Sequence, residues 1–410
     1  MRTTINNGDS GLVARTAINN NFINSNIKVY NVEDYGTVHD GSTDDTEAIQ
    51  DAINACFAAG GGVVYFPNGI YILSGALQNG IGGINFNSQL YIPYSAAGSS
   101  VMIRLIGESV QWLPACTTAI NDKGVVLKST IAGTGDFPSV ICGLGENGVY
   151  GTMTYTEVHM EFIKIVVDAF ESTTGPSMSG INFVWVDQSY IDHVTVTIDC
   201  GIMDSIEPTS HVFGIAIGAT NNDHPEIGVA YVSGFYYGII LGEGAAVFKA
   251  EVFWCHIGYM FIKNFVQVHI HNGLALHCAY AFSGQQETIM SVTASYAIFK
   301  IDSMFIEQGE SGGSRTPAWC DPVDIILDAE NYLHGFMDYQ MSGNGGGAGQ
   351  TITKSNGGVS FFLRNLFGPG NYHWTTAERT AAVASAGVMG FNTTTSKIEW
   401  WDSGSWHVLT

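Results

Sequence analysis

Residues 40–73 read DGSTDDTEAIQDAINACFAAGGGVVYFPNGIYIL, a helical pattern followed by two short apolar runs. Asp44 is placed to cap the helix, because Glu47 stands three residues further on, at the spacing of a capping box. Small and apolar residues then recur at helical intervals along one face: Ala48, Ile49, Ala52, Ile53 and Cys56. Glycines at 60–62 end the helix, and the runs 63–67 and 71–73 predict two strands. The apolar helix face must therefore cover a surface that strands provide.

Between about Ile181 and Ser303 the chain repeats a unit of strand, turn, small residue and strand. Aligning the small residue that precedes a bulky one gives Gly238-Ile239, Gly258-Tyr259, Ala279-Tyr280 and Ala297-Ile298. The numbers advance by 20, 21 and 18 residues, which fits one solenoid coil per repeat. Since a single coil cannot bury its apolar side alone, stacked coils are expected to share one continuous core.

The start of the chain resembles a known family. Asp34-Tyr35-Gly36 precedes the opening stretch, and the combination DYG…DGSTDDTEAIQDAI…GGGVVYFPNGIYIL resembles the start of pectate-lyase-superfamily β-helices, which are common in phage tailspikes. The resemblance implies an all-β fold, a right-handed single-stranded parallel β-helix whose N-terminal helix shields the first coil. It also implies a homotrimer, the state typical of tailspike β-helices. The motif implies no activity, because the family's catalytic residues lie on the coils.

Both ends of the chain resemble phage tail proteins. Residues 1–28 are similar to short N-terminal virion-attachment segments, and residues 359–410, with the run G…FNTTT…K…W…GS-W, resemble a small C-terminal β module. Between them the sequence predicts a β-helix over 29–340, with its N-terminal cap in 29–73, and a Gly-rich linker over 341–358. The C-terminal module is expected to contain a short helix at Thr375–Ala386 and a three-stranded meander.

Charge and composition narrow the range of partners. The formal net charge is −22, with 15 Lys and Arg against 37 Asp and Glu, so a nucleic acid would be repelled. Residues 1–26 lack the basic and then apolar layout of a signal peptide, which predicts synthesis in the host cytoplasm. Residues 227–248 are nearly uncharged and long enough to span a bilayer, but five glycines and Glu243 favour buried strands over membrane insertion. The seven cysteines are scattered without a CxxC pair, which predicts buried free thiols and no cofactor.

Acidic residues are the main candidates for catalysis. From Ile165 to Glu310 there are fifteen acids and three lysines, whereas in the resembling family an Arg or Lys serves as the base for β-elimination. So few cations favour an acid-pair glycoside hydrolase over a lyase. Such a hydrolase needs two carboxyls about 5–5.5 Å or about 6.5–9.5 Å apart, distances that acids one or two coils apart can meet. The predicted catalytic residues are Asp204, Glu207, Asp223 and Glu226. The alternative is that they are ordinary turn acids.

Histidines and aromatic residues supply the other candidates. His269 and His271 belong to a sequence cluster with His256 and His277, and the former two would point to the same side of a strand. Metal binding stays open there, but exposed or hydrogen-bonded histidines are commoner, and no metal ligand is assigned. Three aromatic residues are predicted to face outward and to stack on sugars: Tyr190, Tyr236 and Trp254.

Together these features predict a virion tailspike or tail-fibre subunit that recognises a host-surface polysaccharide. Its other partners would be virion tail or baseplate proteins. The sequence leaves open whether the protein also depolymerises the glycan. The alternative is a structural virion component, in the baseplate, collar or decoration, that uses the β-helix as a rigid scaffold. A secreted bacterial pectinase-like enzyme is disfavoured by the tail-protein ends.

Overall fold

The computed structural model of the chain describes part of its length: residues 27–75, 78–79, 86–96, 99, 101–110, 124–133, 136–143, 154–167, 178–198, 212–218, 224–261, 266–278, 280–283, 296–307, 324–327, 332–342, 351–354, 360–365, 373–374, 389–392, 397–401 and 405–408. Residues 1–26 of the predicted attachment segment and the predicted helix at Thr375–Ala386 lie outside these ranges.

Strands dominate the described chain. In chain order the elements are β1 Val29–Asn31, a 3₁₀ turn Val32–Tyr35, β2 Asp40–Asp44, α1 Thr46–Ala58, β3 Gly61–Phe66, β4 Gly69–Leu73, β5 Gln78–Asn79, β6 Phe86–Ile92, β7 Val101–Gly107, β8 Val125–Ser129, β9 Asp136–Gly143, β10 Thr156–Glu161, β11 Lys164–Val167, β12 Ser179–Phe183, β13 Ser189–Asp192, β14 Val194–Ile198, β15 Phe213–Ile217, β16 Glu226–Ser233, β17 Tyr237–Leu241, β18 Ala246–Phe253, β19 Ile257–Phe261, β20 Val266–Ile270, β21 Gly273–Leu276, β22 Tyr280–Ser283, β23 Tyr296–Glu307, β24 Asp324–Leu327, β25 Tyr332–Ser342, β26 Thr351–Lys354, β27 Ser360–Asn365, β28 His373–Trp374, β29 Met389–Asn392, β30 Lys397–Trp401 and β31 Trp406–Val408.

Two parallel sheets run along the molecule. The larger has 17 described strands and the smaller has ten, from β5 to β26, with only the β5–β6 pairing antiparallel. A typical coil contributes β13 and β14 to the larger sheet and β15 to the smaller. His193, at a φ of 51°, makes the bend between β13 and β14, and Phe162 makes the same bend one coil earlier at 58°. The fold is a parallel β-helix, as the sequence predicts.

Stacked aliphatic side chains fill the interior. One inward column takes a single residue from each of seven successive strands of the larger sheet: Leu105, Met160, Ile191, Ile227, Val247, Ile270 and Ile301. None of these side chains is more than 1% exposed, and burying each one contributes about 1.5–3 kcal/mol. Because side chains alternate along a strand, the residues on either side of this column face outward.

Helix α1 covers the first coil. Its apolar face is fully buried at Ile49, Ile53 and Cys56, which confirms the predicted cap. The predicted N-cap is wrong by one residue, because the N-cap position belongs to Asp45. The Asp45 carboxylate makes no cap hydrogen bond and instead accepts the backbone N–H groups of the preceding loop at Val38 (2.7 Å) and His39 (3.1 Å).

The predicted repeat holds for its first step and fails afterwards. Ile239 pairs with Tyr259, as the alignment expects. Tyr280, however, pairs with Ile257 rather than with Tyr259, and Ile298 lies in β23 of the other sheet. The error arises because both sheets contain a small residue before a bulky one, and because coils differ in length.

Residues 227–248 form the buried strands β16 and β17 and the start of β18, and no described helix is an apolar segment of bilayer-spanning length. Parallel pairing continues through β26 and β27, so it runs past residue 340, where the sequence places the end of the solenoid. The C-terminal meander is present as β29, β30 and β31, with β28 added in parallel. The four described cysteines are buried and free: Cys56, Cys142, Cys255 and Cys278.

Candidate functional site

Two rows of outward-facing side chains run along the larger sheet, one on each side of the aliphatic column. Row one consists of Arg104, His159, Tyr190, Glu226, Ala246, His269 and Lys300. Row two lies on the other side of the column and consists of Ile106, Glu161, Asp192, Gly228, Phe248, His271 and Asp302. The two rows together are called the outer face. They bring together residues that are far apart in sequence.

The first coils of the outer face carry two polar pairs. Arg104 Nη2 lies 2.6 Å from Glu161 Oε1, across adjacent strands β7 and β10. His159 Nε2 lies 2.7 Å from Oε1 of Glu157, which points outward from the same strand two residues earlier. All four side chains are partly exposed, so their hydrogen-bonding groups are within reach of a ligand in solution.

Tyr190 occupies the centre of this polar region. In row one it lies between His159, whose ring centroid is 5.5 Å from its own, and Glu226, its register partner. Burial raises the pKa of Tyr190, and the charge and hydrogen bond of Asp192 raise it further. The phenol therefore stays protonated at neutral pH and can donate a hydrogen bond.

Asp192 is held in place by the following coil. Its Oδ1 accepts a hydrogen bond from the backbone N–H of Val229 at 2.9 Å, and its Oδ2 lies 2.9 Å from Nδ1 of His193. Gly228 makes room for this arrangement, since a Cβ there would lie 2.4 Å from Asp192 Oδ1 and 3.1 Å from the Tyr190 hydroxyl. The Asp192 carboxylate therefore fills the space that a side chain at position 228 would need.

The chemistry of this region suits polar ligands without negative charge. The region holds four described carboxylates, those of Glu157, Glu161, Asp192 and Glu226, and one guanidinium, that of Arg104, which pairs with Glu161. Carboxylates accept hydrogen bonds from hydroxyl groups, and so does the oxygen of the Tyr190 phenol, whose proton is donated to Asp192. Carboxylates on adjacent parallel strands also lie near the separation that a glycosidase needs, because neighbouring strands are about 4.8 Å apart. Glu161 and Asp192 are such a pair in register.

The last coils of the outer face carry a different cluster. Asp302 Oδ2 lies 2.7 Å from His269 Nε2 and 3.0 Å from His271 Nδ1, and Asp302 Oδ1 lies 2.7 Å from Lys300 Nζ. Phe248 stacks on the His271 ring, with centroids 5.0 Å apart and planes inclined by 12°. Both histidines therefore have a carboxylate as hydrogen-bond partner. The sequence analysis considers such paired histidines commoner than metal ligands.

Some of the predicted site residues lie on the outer face. Tyr190 and Glu226 are register partners there. Tyr236 is partly buried against Tyr237, away from either row. Trp254 is not an outward platform, because it is only 8% exposed and its ring stacks with His277. The remaining predicted catalytic residues lie outside the described residues: Asp204, Glu207 and Asp223.

Sequence reasoning missed the first coils of the outer face and one aromatic residue. Arg104, His159 and Glu161 precede the stretch in which acids were counted, yet a signal was present. Polar residues at 157, 159 and 161 alternate with the buried Val158 and Met160. This alternation is typical of a strand with one solvent-exposed face. Phe248, 47% exposed in row two, was not among the aromatic candidates.

A family model matches the first part of the β-helix. Residues 29–224 match the model described as Rhamnogalacturonase A/epimerase, pectate lyase-like. This segment is pectate-lyase-like. It contains Arg104, His159, Tyr190 and Asp192 of the outer face, whereas the His269 cluster follows it.

Curated relatives match only short parts of this chain. Mannuronan C5-epimerase AlgE5 of Azotobacter vinelandii is 47% identical over 73 residues, which are 18% of this chain and 7% of that protein. Alginate lyase 7 of the same organism is 47% identical over 73 residues, 18% of this chain and 8% of that protein. Plasmin and fibronectin-binding protein A of Streptococcus pneumoniae is 58% identical over 43 residues, 10% of this chain and 6% of that protein.

Solved structures extend over more of the chain at low identity. ORF18 of Geobacillus virus E2 is 14% identical with a TM-score of 0.43, covering 88% of this chain and 65% of that one. The A-module of mannuronan C-5 epimerase AlgE4 from Azotobacter vinelandii is 15% identical with a TM-score of 0.42, covering 83% and 98%. Tailspike protein 3 of bacteriophage CBA120 is 13% identical with a TM-score of 0.24, covering 99% and 71%.

Proposed function

We propose that this chain is a virion tailspike or tail-fibre subunit of a phage and that its outer face recognises a host-surface polysaccharide. The observation that carries the proposal is the pair of rows itself. Seven successive strands present side chains outward in register, which makes a strip about 29 Å long at the strand spacing of parallel sheets. A strip of this shape suits an extended polymer better than a compact small molecule.

The contacts within the strip fit sugars. Carboxylates and the Tyr190 phenol offer hydrogen-bond partners to hydroxyl groups, and the exposed Phe248 ring offers a flat apolar face for a sugar ring. The surplus of carboxylates in the first coils disfavours an acidic glycan through like-charge repulsion. A neutral polysaccharide is therefore the proposed ligand class.

The same proposal includes depolymerisation of the bound glycan, which would occur by acid-pair hydrolysis. Its candidate carboxylates are the four predicted from sequence, Asp204, Glu207, Asp223 and Glu226, with Glu161 and Asp192 added as partners in register on the outer face. The named relatives include both enzymes and a binding protein: a mannuronan epimerase, an alginate lyase, and a plasmin- and fibronectin-binding protein. The proposed place is the virion tail, as a homotrimer joined to tail or baseplate proteins after synthesis in the host cytoplasm.

Binding and cleavage are tested with purified full-length protein and a panel of neutral and acidic bacterial capsules and lipopolysaccharides. Wild-type protein should bind a neutral member of the panel, and Phe248→Ala and Glu226→Gln should weaken that binding about tenfold. Two matched controls away from the two rows should bind like wild type: Val38→Ala, which is 47% exposed in the loop before α1, and Glu251→Gln. Size-exclusion chromatography of the incubated glycan measures shortening of the chain.

Each outcome has a distinct meaning. Binding without shortening supports an adhesin, and shortening that is lost in Glu226→Gln but kept in Glu251→Gln supports a hydrolase. If no glycan binds, or if the two outer-face variants bind as tightly as the controls, the outer face is not a recognition surface. The structural virion component then becomes the better assignment.

A further inference from the structure

We propose that His269, His271 and Asp302 bind one Zn²⁺ ion at the C-terminal end of the outer face. Within the described part of the chain, this is the one group of three His, Cys, Asp or Glu residues whose ligand atoms all lie within 4.8 Å of one another. Two imidazoles and one carboxylate form a donor set that zinc accepts readily. The proposal does not depend on glycan recognition.

The geometry is close to what a zinc ion needs. Bonds of about 2.0–2.1 Å in a tetrahedron keep ligand atoms about 3.3 Å apart. Both histidine nitrogens lie slightly nearer than this to Asp302 Oδ2, at 2.7 and 3.0 Å. Small side-chain rotations would therefore admit the ion between them. The three side chains are 34–38% exposed, so an aqueous ion can reach them and water can fill the remaining position.

Two neighbouring side chains position the ligands. Phe248 packs flat against the His271 ring and limits its rotation. Lys300 holds Asp302 Oδ1 at 2.7 Å, which leaves Oδ2 directed at both histidines. Partners of this kind orient metal ligands in many sites. Lys300 also opposes the ion, because its ammonium lies only 3.5 Å from His269 Nε2 and would repel a divalent cation.

A bound ion would link two coils. His269 lies at the end of β20 and His271 directly follows this strand, whereas Asp302 lies in β23, the strand that pairs with β20. An ion held across this pairing binds the folded chain and not the extended one. Its binding therefore raises thermal stability by mass action.

Isothermal titration of the full chain with ZnCl₂ at neutral pH tests the site directly. We expect one Zn²⁺ per chain, with affinity lowered at least about tenfold in His269→Ala, His271→Ala and Asp302→Asn. His39→Gln is the matched control, because His39 also pairs with a carboxylate, that of Glu33 at 2.9 Å, but belongs to no three-ligand group among the described residues. Mg²⁺ should not compete, since it prefers oxygen ligands.

The Lys300→Met variant separates a metal site from a merely structural cluster. Removing its charge should tighten zinc binding about tenfold, and a gain of affinity cannot result from misfolding. Lys249→Met, which disrupts only the ion pair with Glu251, should leave zinc affinity unchanged. Thermal unfolding should show a zinc-dependent rise of Tm in wild type and Lys300→Met, and no rise in His269→Ala.

Two results would overturn the proposal. One is wild-type protein that takes up no Zn²⁺ at micromolar concentrations. The other is zinc binding that persists unchanged in all three ligand variants, which would place the ion elsewhere. Because no glycan is present in these experiments, their failure would leave the proposed polysaccharide recognition untouched.

Discussion

Replacing Gly228 with alanine should break the hydrogen bond that ties Asp192 to the next coil. The new Cβ would lie 2.4 Å from Asp192 Oδ1, about 1 Å closer than non-bonded atoms normally approach. A shift of that size stretches the bond from the Val229 N–H, now 2.9 Å, beyond hydrogen-bonding range. An unpaired, partly buried N–H costs about 1–3 kcal/mol, and Gly→Ala returns about 0.4–1 kcal/mol through the unfolded chain. The net local loss is about 1–2 kcal/mol.

Hydrogen exchange followed by mass spectrometry measures this loss at the β16 amides. The Val229 amide should exchange about 5–30-fold faster in Gly228→Ala than in wild type. Asp192→Ala provides the control background, because the added methyl group then meets no carboxylate and should change exchange little further. Equal acceleration in both backgrounds would refute the reasoning, since the effect would then come from the strand and not from the carboxylate.

Two further changes probe the core and the cap. Ile191→Ala should lower the free energy of unfolding by about 2–5 kcal/mol and Ile191→Val by about 0.5–1.5 kcal/mol, measured by urea unfolding, while Lys249→Ala stays within about 0.5 kcal/mol of wild type. Backbone hydrogen bonds from Thr43 and Ser42 lower the pKa of Asp40 from 3.8 to about 2. The ionised Asp40 carboxylate therefore stabilises the fold fully above pH 3.8, and this stabilisation is lost as the pH falls through about 2. Asp40→Asn should therefore lower Tm at neutral pH, and the difference from wild type should vanish near pH 2; a constant difference would contradict this assignment.

The fold was predictable because its strongest signals are local. The spacing of Ile49, Ile53 and Cys56 identifies the covering helix without knowledge of the rest of the chain. The position of the helix cap was less predictable, because Asp44 and Asp45 both suit it and the Asp45 carboxylate bonds to the preceding loop instead of the helix. The coil phase was lost after Tyr259, where the same short pattern occurs in both sheets.

The candidate site was less predictable, because it depends on register between strands. Tyr190 and Glu226 are 36 positions apart in the sequence, and no property of either residue says that they are neighbours. Loop acids drew attention through their clustering in sequence, whereas the outer face is assembled from one or two residues per coil. The burial of Trp254 was also not predicted, because the sequence alone does not show whether a tryptophan side chain points into the core or toward solvent.

The strict alternation of inward and outward side chains limits how this protein can change over generations. One residue inserted within β13 would turn Tyr190 inward and expose Ile191, so the outer face and the core would be damaged together. Inserting a pair of residues, a longer connection between strands or an entire extra coil avoids this exchange. Diversification of the outer face is therefore expected to proceed through whole coils and connecting segments, with strand lengths altered in steps of two.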